Sequence, residues 1–249
     1  MEGPTYVSLS AQVALQHQLE VVANNVANAN STGFKADRQL FQTYVNRLAV
    51  PGGQVAFVQD RATYIDRTAG PIQTTGNPLD VAIQGDGLLA VTTPQGIRYT
   101  RDGRLHLRGD NTLVDAEGRP LQGEDGQPIT LPENFRDIVI RGDGSIRVVV
   151  QGAVQEVGRL ASYRATDPLT LRKDGNGLLI GPVPGMTRIE AADNTSRLVQ
   201  GSLEGSTVQP VVEIANMTEL SRAYDRLQTL VSDDNDRERK MIDRLGNAL

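Results

Sequence analysis

The 249-residue sequence has no cysteine, no tryptophan, two histidines and only 4% aromatic residues. Without cysteine it has no disulfides, no thiolate metal sites and no thiol nucleophile. A chain without thiols suits oxidising and reducing compartments alike. With so few aromatics, any core must be assembled from Val, Leu, Ile and Ala. Long apolar runs are missing too, and none approaches the ~20 residues of a membrane-spanning helix. The N-terminus lacks the basic start and apolar core of a cleaved signal peptide, so a route out of the cytoplasm would have to be a different one. The formal charge is −5, and no basic stripe offsets it, which argues against a nucleic-acid partner.

The motifs of catalysis are absent as well. There is no G-x-S-x-G, no H-E-x-x-H and no Gly-Lys-Ser/Thr phosphate loop. His17 falls in a predicted helix and His106 in a predicted strand, neither beside carboxylates at metal-ligand spacing. Gly85-x-Gly87-x-x-Ala90 fits a permissive dinucleotide fingerprint, but that motif needs a helix after its glycines. Here "LLAVTT" follows, so a hairpin turn is expected. The Arg-Gly-Asp tripeptides at 108–110 and 141–143 also sit where turns are expected. The residues therefore point to no catalytic group, no cofactor and no metal.

What is present is a change of rhythm along the chain. Leu15, Leu19, Val22 and Val26 are spaced four, three, four, which predicts a helix over 5–29 with a coiled-coil-like seam. Ser8, Gln12 and Ala29 extend that seam with small or polar residues. Asn30-Ser31-Thr32-Gly33 supplies an exit, with Gly33 suited to a left-handed residue after the helix. Whether 34–48 continues the helix is left open by the residues. From about Gly70, short β-favouring runs alternate with Gly-centred turns: "LDVAI", "LLAVTT", "IRYT", "RLHL", "TLVD", "DIVIR", "SIRVVV" and "VQEVGRLASY". Regular runs of this kind predict antiparallel strands. Helical spacing returns at the end, where Met217, Leu220, Tyr224, Leu227 and Val231 step three, four, three, four, and Met241 and Leu245 resume the seam.

The expected fold is α+β. N- and C-terminal helices form a split, coiled-coil-like assembly domain, and a central antiparallel all-β domain lies between them in sequence. The expected organisation is a helix over 1–33, a linker or extended region over 34–75, a β domain over 76–200, a return linker over 201–212 and a C-terminal helix over 213–249. An isolated amphipathic helix is marginal in water, so the two helical ends need each other or helices from other copies.

One stretch departs from ordinary surface helices. "LEVVANNVANANSTGFK", residues 19–35, carries four asparagines in its second half, and Glu20 is the only charged residue between Gly3 and Phe34. Asparagine is a poor helix-interior residue because its amide competes for backbone bonds. Asn24, Asn25 and Asn28 point in different directions around a helix, so one interface cannot use all three. Two readings stay open on composition alone: a modest helix lying on its own domain, or a helix surrounded by protein on several sides.

Three segments bear on that choice. "VVANNVANANSTGFK", with Ala23, Asn24, Asn25, Ala27, Asn28, Thr32, Gly33, Phe34 and Lys35, resembles the N-terminal signature of the bacterial flagellar rod and hook family. "TGNPLDVAIQGDGLLAV", followed by "YTRDGRLHL", resembles a second signature of that family. "GSLEGSTVQPVVEIANMTELSRAYD" (201–225) resembles a third. Leu88 and Leu89 stand where the family usually has aromatics, and either choice fills a strand core. The resemblance implies a structural, non-enzymatic subunit of the flagellar basal body, most similar to a proximal rod subunit, with a distal rod subunit as the alternative.

The resemblance also implies helices packed around a tubular shaft, with the C-terminal helix nearer the lumen and the β domain outside. The implied partners are other copies, related rod subunits and the flagellar type III export apparatus, with no nucleic acid and no direct membrane span. The implied location is the rod, crossing the periplasm, reached without signal cleavage. The residues expected at subunit interfaces are Leu15, Leu19, Val22, Asn24, Asn25, Val26 and Asn28 from the first helix, and Met217, Leu220, Tyr224, Leu227 and Val231 from the last. A reading of another class is a monomeric β-domain module binding peptidoglycan or a surface glycan. The sequence has no aromatic cluster of the kind sugar stacking favours.

Overall fold

The computed structural model describes residues 3–47, 54–175, 177–182, 184–190, 193 and 195–246. The first helix, α1, spans Gly3–Ala27, and the last, α2, spans Pro210–Gly246. Between them lie β1 (Asp37–Arg47), β2 (Gln54–Ile65), β3 (Ile72–Thr74), β4 (Val81–Gly85), β5 (Leu88–Thr93), β6 (Gly96–Thr100), β7 (His106–Leu107), β8 (Leu113–Val114) and β9 (Phe135–Ile140). They are followed by β10 (Ser145–Val150), β11 (Ala153–Arg159), β12 (Ser162–Ala165), β13 (Arg172–Gly175), β14 (Leu178–Ile180), β15 (Met186–Arg188), β16 (Ser196–Gln200) and β17 (Ser202–Glu204). Two terminal helices that pack together, with antiparallel strands between them in sequence, make the fold α+β.

The chain divides into two compact units. The first comprises residues 1–27, 37–63 and 209–249, and the second comprises 28–36 and 64–208. In the helical unit α1 packs on α2, and β1 pairs with β2. The stretch 34–48, for which the residues left a continued helix open, carries β1 over Asp37–Arg47. α1 stops at Ala27, and Ser31 N–H bonds the Asn28 carbonyl at 3.1 Å in the turn that follows.

The β unit is organised around a six-stranded sheet in the order β13-β14-β6-β5-β12-β15 and a three-stranded sheet β11-β10-β9. The runs "LLAVTT" and "SIRVVV" coincide with β5 and β10. The run "VQEVGRLASY" is instead split into β11 and β12, with Leu160 and Ala161 buried at the break. Alternation along β5 explains its place at the centre. Leu89 and Val91 point into the main core with Val81, Ile83, Ile146 and Val148, while Leu88 and Ala90 join a second cluster with Tyr99 and Leu179. A strand buried on both faces needs apolar residues at successive positions, as this one has. The main core contains only Val, Leu and Ile among its buried members, as the shortage of aromatics requires.

Two pairings close the unit over long sequence separations. β4 pairs with β16, and β3 pairs with β17, both antiparallel. The turn after β6 depends on Gly103, where an added Cβ would stand 1.7 Å from the Val81 carbonyl oxygen. That approach excludes any side chain. The Gly85–Gly87 turn leads into β5 and no helix, so the dinucleotide reading has no helix N-terminus to use.

Candidate assembly interface

In the helical unit α1 and α2 run antiparallel. Gln12 Nε2 donates to the Tyr224 hydroxyl at 3.0 Å near the middle of both helices. Near the C-terminus of α1 and the N-terminus of α2, Arg38 Nη1 donates to Glu213 Oε1 at 3.2 Å, beside the Asn25–Asp37 contact. The expected seam residues Leu15, Leu19, Val22 and Val26 are all half-buried, as are Leu220, Tyr224, Leu227 and Val231. Met217 is exposed. The side chains of Met241 and Leu245 lie outside the described residues. Between the helices and the start of β1 runs a groove of about 600 Å³, with Val21, Val22, Leu220 and Ala223 among its lining residues.

The asparagines have separate fates. Asn25 is 1% exposed and acts as a backbone mimic: its Nδ2 donates to the Asp37 carbonyl at 3.0 Å, and its Oδ1 accepts from the Asp37 N–H at 2.9 Å. This pair of bonds satisfies the first backbone groups of β1, which a buried segment cannot leave open. Asn28 Oδ1 accepts the Ser31 hydroxyl at 3.1 Å in the turn after the helix. Asn24 is exposed.

Burial differs sharply between the two units. Among the described residues of the helical unit only Ala14, Asn25 and Glu213 are buried. Large apolar side chains stand in solvent there: Leu9, Val13, Val211, Val212, Ile214, Met217 and Leu230, with Val13 60% and Val211 81% exposed. The β unit, by contrast, encloses sixteen buried apolar residues in one cluster.

The β unit contains a second feature that the sequence reading did not find. Glu204 is 1% exposed and holds two cations, each 7% exposed. Its Oε1 accepts from Lys35 Nζ at 2.6 Å and from the Gly70 N–H at 2.9 Å, and its Oε2 accepts from Arg101 Nη1 at 2.8 Å. Lys35 also donates to the Thr68 carbonyl at 2.6 Å, and Arg101 Nη2 donates to the Gly85 carbonyl. Each ion comes from a different one of the three signature segments. Around them the segments bond directly: Gly33 N–H to the Glu204 carbonyl at 2.7 Å, Thr207 N–H to the Phe34 carbonyl at 3.1 Å, and Ala36 N–H to Thr207 Oγ1 at 2.9 Å. Lys173 Nζ lies 3.8 Å from the centre of the Phe34 ring, a cation–π contact.

Burial by itself would push the Glu204 carboxyl up, but the Arg101 charge and the bonds from Lys35 and Arg101 outweigh it and hold the group below its ordinary value. Burial pulls the Lys35 ammonium down, and the bond to Glu204 offsets only part of that. Glu204 therefore stays an anion between two cations and fastens the three segments together. No signal in the sequence sets these three apart: the second and third signatures hold several other ionisable residues, and Arg101 in "TRDG" stands beside Asp102. Among the described residues no group of three His, Asp or Glu could hold a metal, and no helix is long and apolar enough to cross a membrane.

Comparison with known proteins matches these segments one by one. Residues 6–35 match the flagella basal body rod protein family, 82–148 the flagellar hook protein FlgE/F/G D1 domain, and 199–244 the flagellar basal body rod FlgEFG protein C-terminal family. The flagellar basal-body rod protein FlgF of Caulobacter vibrioides is 35% identical over 249 residues, covering 99% of each chain. FlgF of Escherichia coli is 33% identical over 94% of this chain and 96% of its own. The rod protein FlgG of Bacillus subtilis is 28% identical over 88% of this chain and 90% of its own. The segments joined around Glu204 are thus the ones that define the group, and the chain belongs to the flagellar basal-body rod protein family as a FlgF-like structural subunit.

Proposed function

We propose that the protein is a proximal rod subunit that polymerises through α1 and α2, with copies of itself and related rod subunits, into the tubular drive shaft. The shaft transmits torque across the periplasm and encloses the export channel. The chain would reach it unfolded through the flagellar type III export apparatus.

The observation that carries this reading is the uneven burial. A β unit with a closed core sits in the same chain as a helical unit in which Leu9, Val13, Val211, Val212, Ile214, Met217 and Leu230 remain in water. Full burial of a Val or Ile side chain contributes about 1.5–3 kcal/mol. Covering Val13, Val211 and Ile214 alone would supply several kcal/mol toward the ordering entropy that assembly costs. Under this reading the half-buried Leu15, Leu19, Val22, Val26, Leu220, Tyr224, Leu227 and Val231 join the two helices to each other and to their neighbours. Asn24 and Met217 face outward, and Asn25 and Asn28 shape the helix exit.

The test is complementation of a motile strain deleted for its own copy, with recovery of the chain in purified basal bodies. The parent chain restores rods and swimming, whereas Val22→Asp is absent from basal bodies while near-UV circular dichroism of the purified variant retains the signal of the β unit. Normal incorporation of Val22→Asp would refute packing through the helices. A parent chain that never enters basal bodies would refute the rod assignment.

A further inference from the structure

The β unit holds a polar cleft of about 590 Å³, built wholly from residues of that unit. It lies between the β9–β10 turn, β16 and the connection that follows β15. Arg141, Gly142, Asp143, Glu190, Asp193 and Arg197 are among its lining residues. Its walls are fixed to one another. Leu198 N–H bonds the Gly142 carbonyl at 3.0 Å. Gln200 Nε2 donates to the Ile138 carbonyl at 2.9 Å, and Gln200 Oε1 accepts from the Ile140 N–H at 3.2 Å.

Both arginines of the cleft belong to this turn or cross it. Arg197 lays its stem over Gly142, where an added Cβ would stand 2.8 Å from Arg197 Cγ and 3.1 Å from Cδ. Arg141 is the residue before. Gly142 does not have a positive φ, so the passing Arg197 stem, and not the backbone conformation, calls for a residue without a side chain.

The carboxylates of the cleft are engaged by arginines from outside its lining. Asp143 Oδ2 lies 3.6 Å from Arg159 Nη2, Glu190 Oε1 3.1 Å from Arg188 Nη2, and Asp193 Oδ2 3.9 Å from Arg164 Nη2. Arg141 and Arg197 are both exposed and make no ion pair among the described residues. Arg159 and Arg188 also share Glu124, so the five guanidiniums Arg141, Arg159, Arg164, Arg188 and Arg197 face the four carboxylates Glu124, Asp143, Glu190 and Asp193. The chain as a whole carries −5 and has no general attraction for anions. The positive excess is local.

We infer that this cleft binds an oxyanion carrying two or more negative charges, held between the guanidiniums of Arg141 and Arg197. The planar fork of a guanidinium matches the oxygens of a carboxylate or phosphate. The volume falls within the ~300–1,000 Å³ of small-molecule sites, and no aromatic residue lines it, so recognition rests on charge and hydrogen bonds. A free ion and an acidic group carried on a polymer offer the same chemistry.

The test is titration calorimetry on the purified full-length chain at low ionic strength, with pyrophosphate and citrate as free probes and poly-L-glutamate as the polymeric one. The expected result is saturable binding of at least one probe. Arg141→Gln and Arg197→Gln each weaken it at least tenfold, and neither changes the melting temperature measured without probe. Gly142→Ala displaces the Arg197 stem and also weakens binding. Arg136→Gln removes another exposed arginine of the β unit, outside the cleft, and leaves the affinity unchanged. Binding of a free probe through Arg141 and Arg197 supports a small-ion ligand, and binding of poly-L-glutamate alone through the same pair supports a polymer-borne one. Absence of saturable binding for all three probes overturns the inference. So does a loss in Arg136→Gln equal to that in Arg141→Gln, which would mark diffuse surface charge and no site.

Discussion

Replacing Glu204 by Gln tests the buried fastener most directly. The substitution keeps the shape and removes the charge. One oxygen can still accept, but the new amide NH₂ must face either Arg101 Nη1 or the Lys35 Nζ and Gly70 N–H pair, which are all donors. Two cations, each 7% exposed, then lack their counterion. Breaking a buried ion pair in this way costs about 3–5 kcal/mol, a large fraction of the ~5–15 kcal/mol that holds a domain together. For a unit of about 150 residues, each kcal/mol lowers the melting temperature by ~2–4 °C, so a fall of about 6–20 °C is expected.

The pH profile supplies an independent reading of the same group. The folded Glu204 carboxyl lies below its ordinary value of 4.5, so its stabilisation is fully present above that value and is lost as pH falls through the folded one. The parent protein should therefore lose stability in that acid window, and Glu204→Gln should lose correspondingly less there. Lys35, lowered from 10.5 by burial, gives a slope of the same sign in the alkaline range: stability rises as pH climbs through its folded value toward 10.5. Urea unfolding followed by near-UV circular dichroism across pH measures both limbs. A destabilisation under 1 kcal/mol, or an acid limb unchanged by the substitution, would refute the fastener.

Substitutions at two further positions probe the helix exit. Asn25→Ala leaves the Asp37 N–H and carbonyl without their partners and should cost about 2–4 kcal/mol. It should also raise hydrogen exchange at the Asp37 amide, and an unchanged exchange rate there would count against the backbone-mimic role. Gly33→Ala places a Cβ 2.4 Å from the Arg101 carbonyl carbon at a residue with φ of 67°, adding a backbone clash to the ~1–2 kcal/mol of a left-handed conformation. Gly33→Asn, tolerant of that φ, should be as damaging in thermal unfolding. A stable Asn variant would show that conformation alone, and not the approach of Arg101, demands glycine.

How far the sequence discloses this structure follows from what periodicity encodes. The spacing of Leu15, Leu19, Val22 and Val26 marks a helix, and "LLAVTT" between Gly-centred turns marks a strand, because both are local patterns. Periodicity names no partners. Nothing in "SRLVQ" says that β16 will lie against β4, more than a hundred residues earlier, and nothing in "GFK" points to "SLEGS". Lys35, Arg101 and Glu204 read individually as ordinary ionisable residues, and only the tertiary fold makes them one cluster. Asn25 reads from the sequence as one of several residues expected at a subunit interface. That its partner is the backbone of Asp37, twelve residues on, was not legible, because it depends on the chain turning sharply through 28–36.

The division of the chain also sets an order of events. The helical unit draws its segments from 1–27, 37–63 and 209–249, whereas every residue of the β unit precedes 209. A ribosome, or any channel that passes the chain N-terminus first, therefore delivers the whole β unit before α2 exists. α1 must wait about two hundred residues for its partner, and closing so long a loop is slow unless the intervening chain has already compacted. A nonsense codon just after Val208 would thus leave every residue of the β unit in place and remove the helix against which α1 packs. In order of synthesis α2 is thus the step that completes the helical unit, after the whole β unit has been delivered.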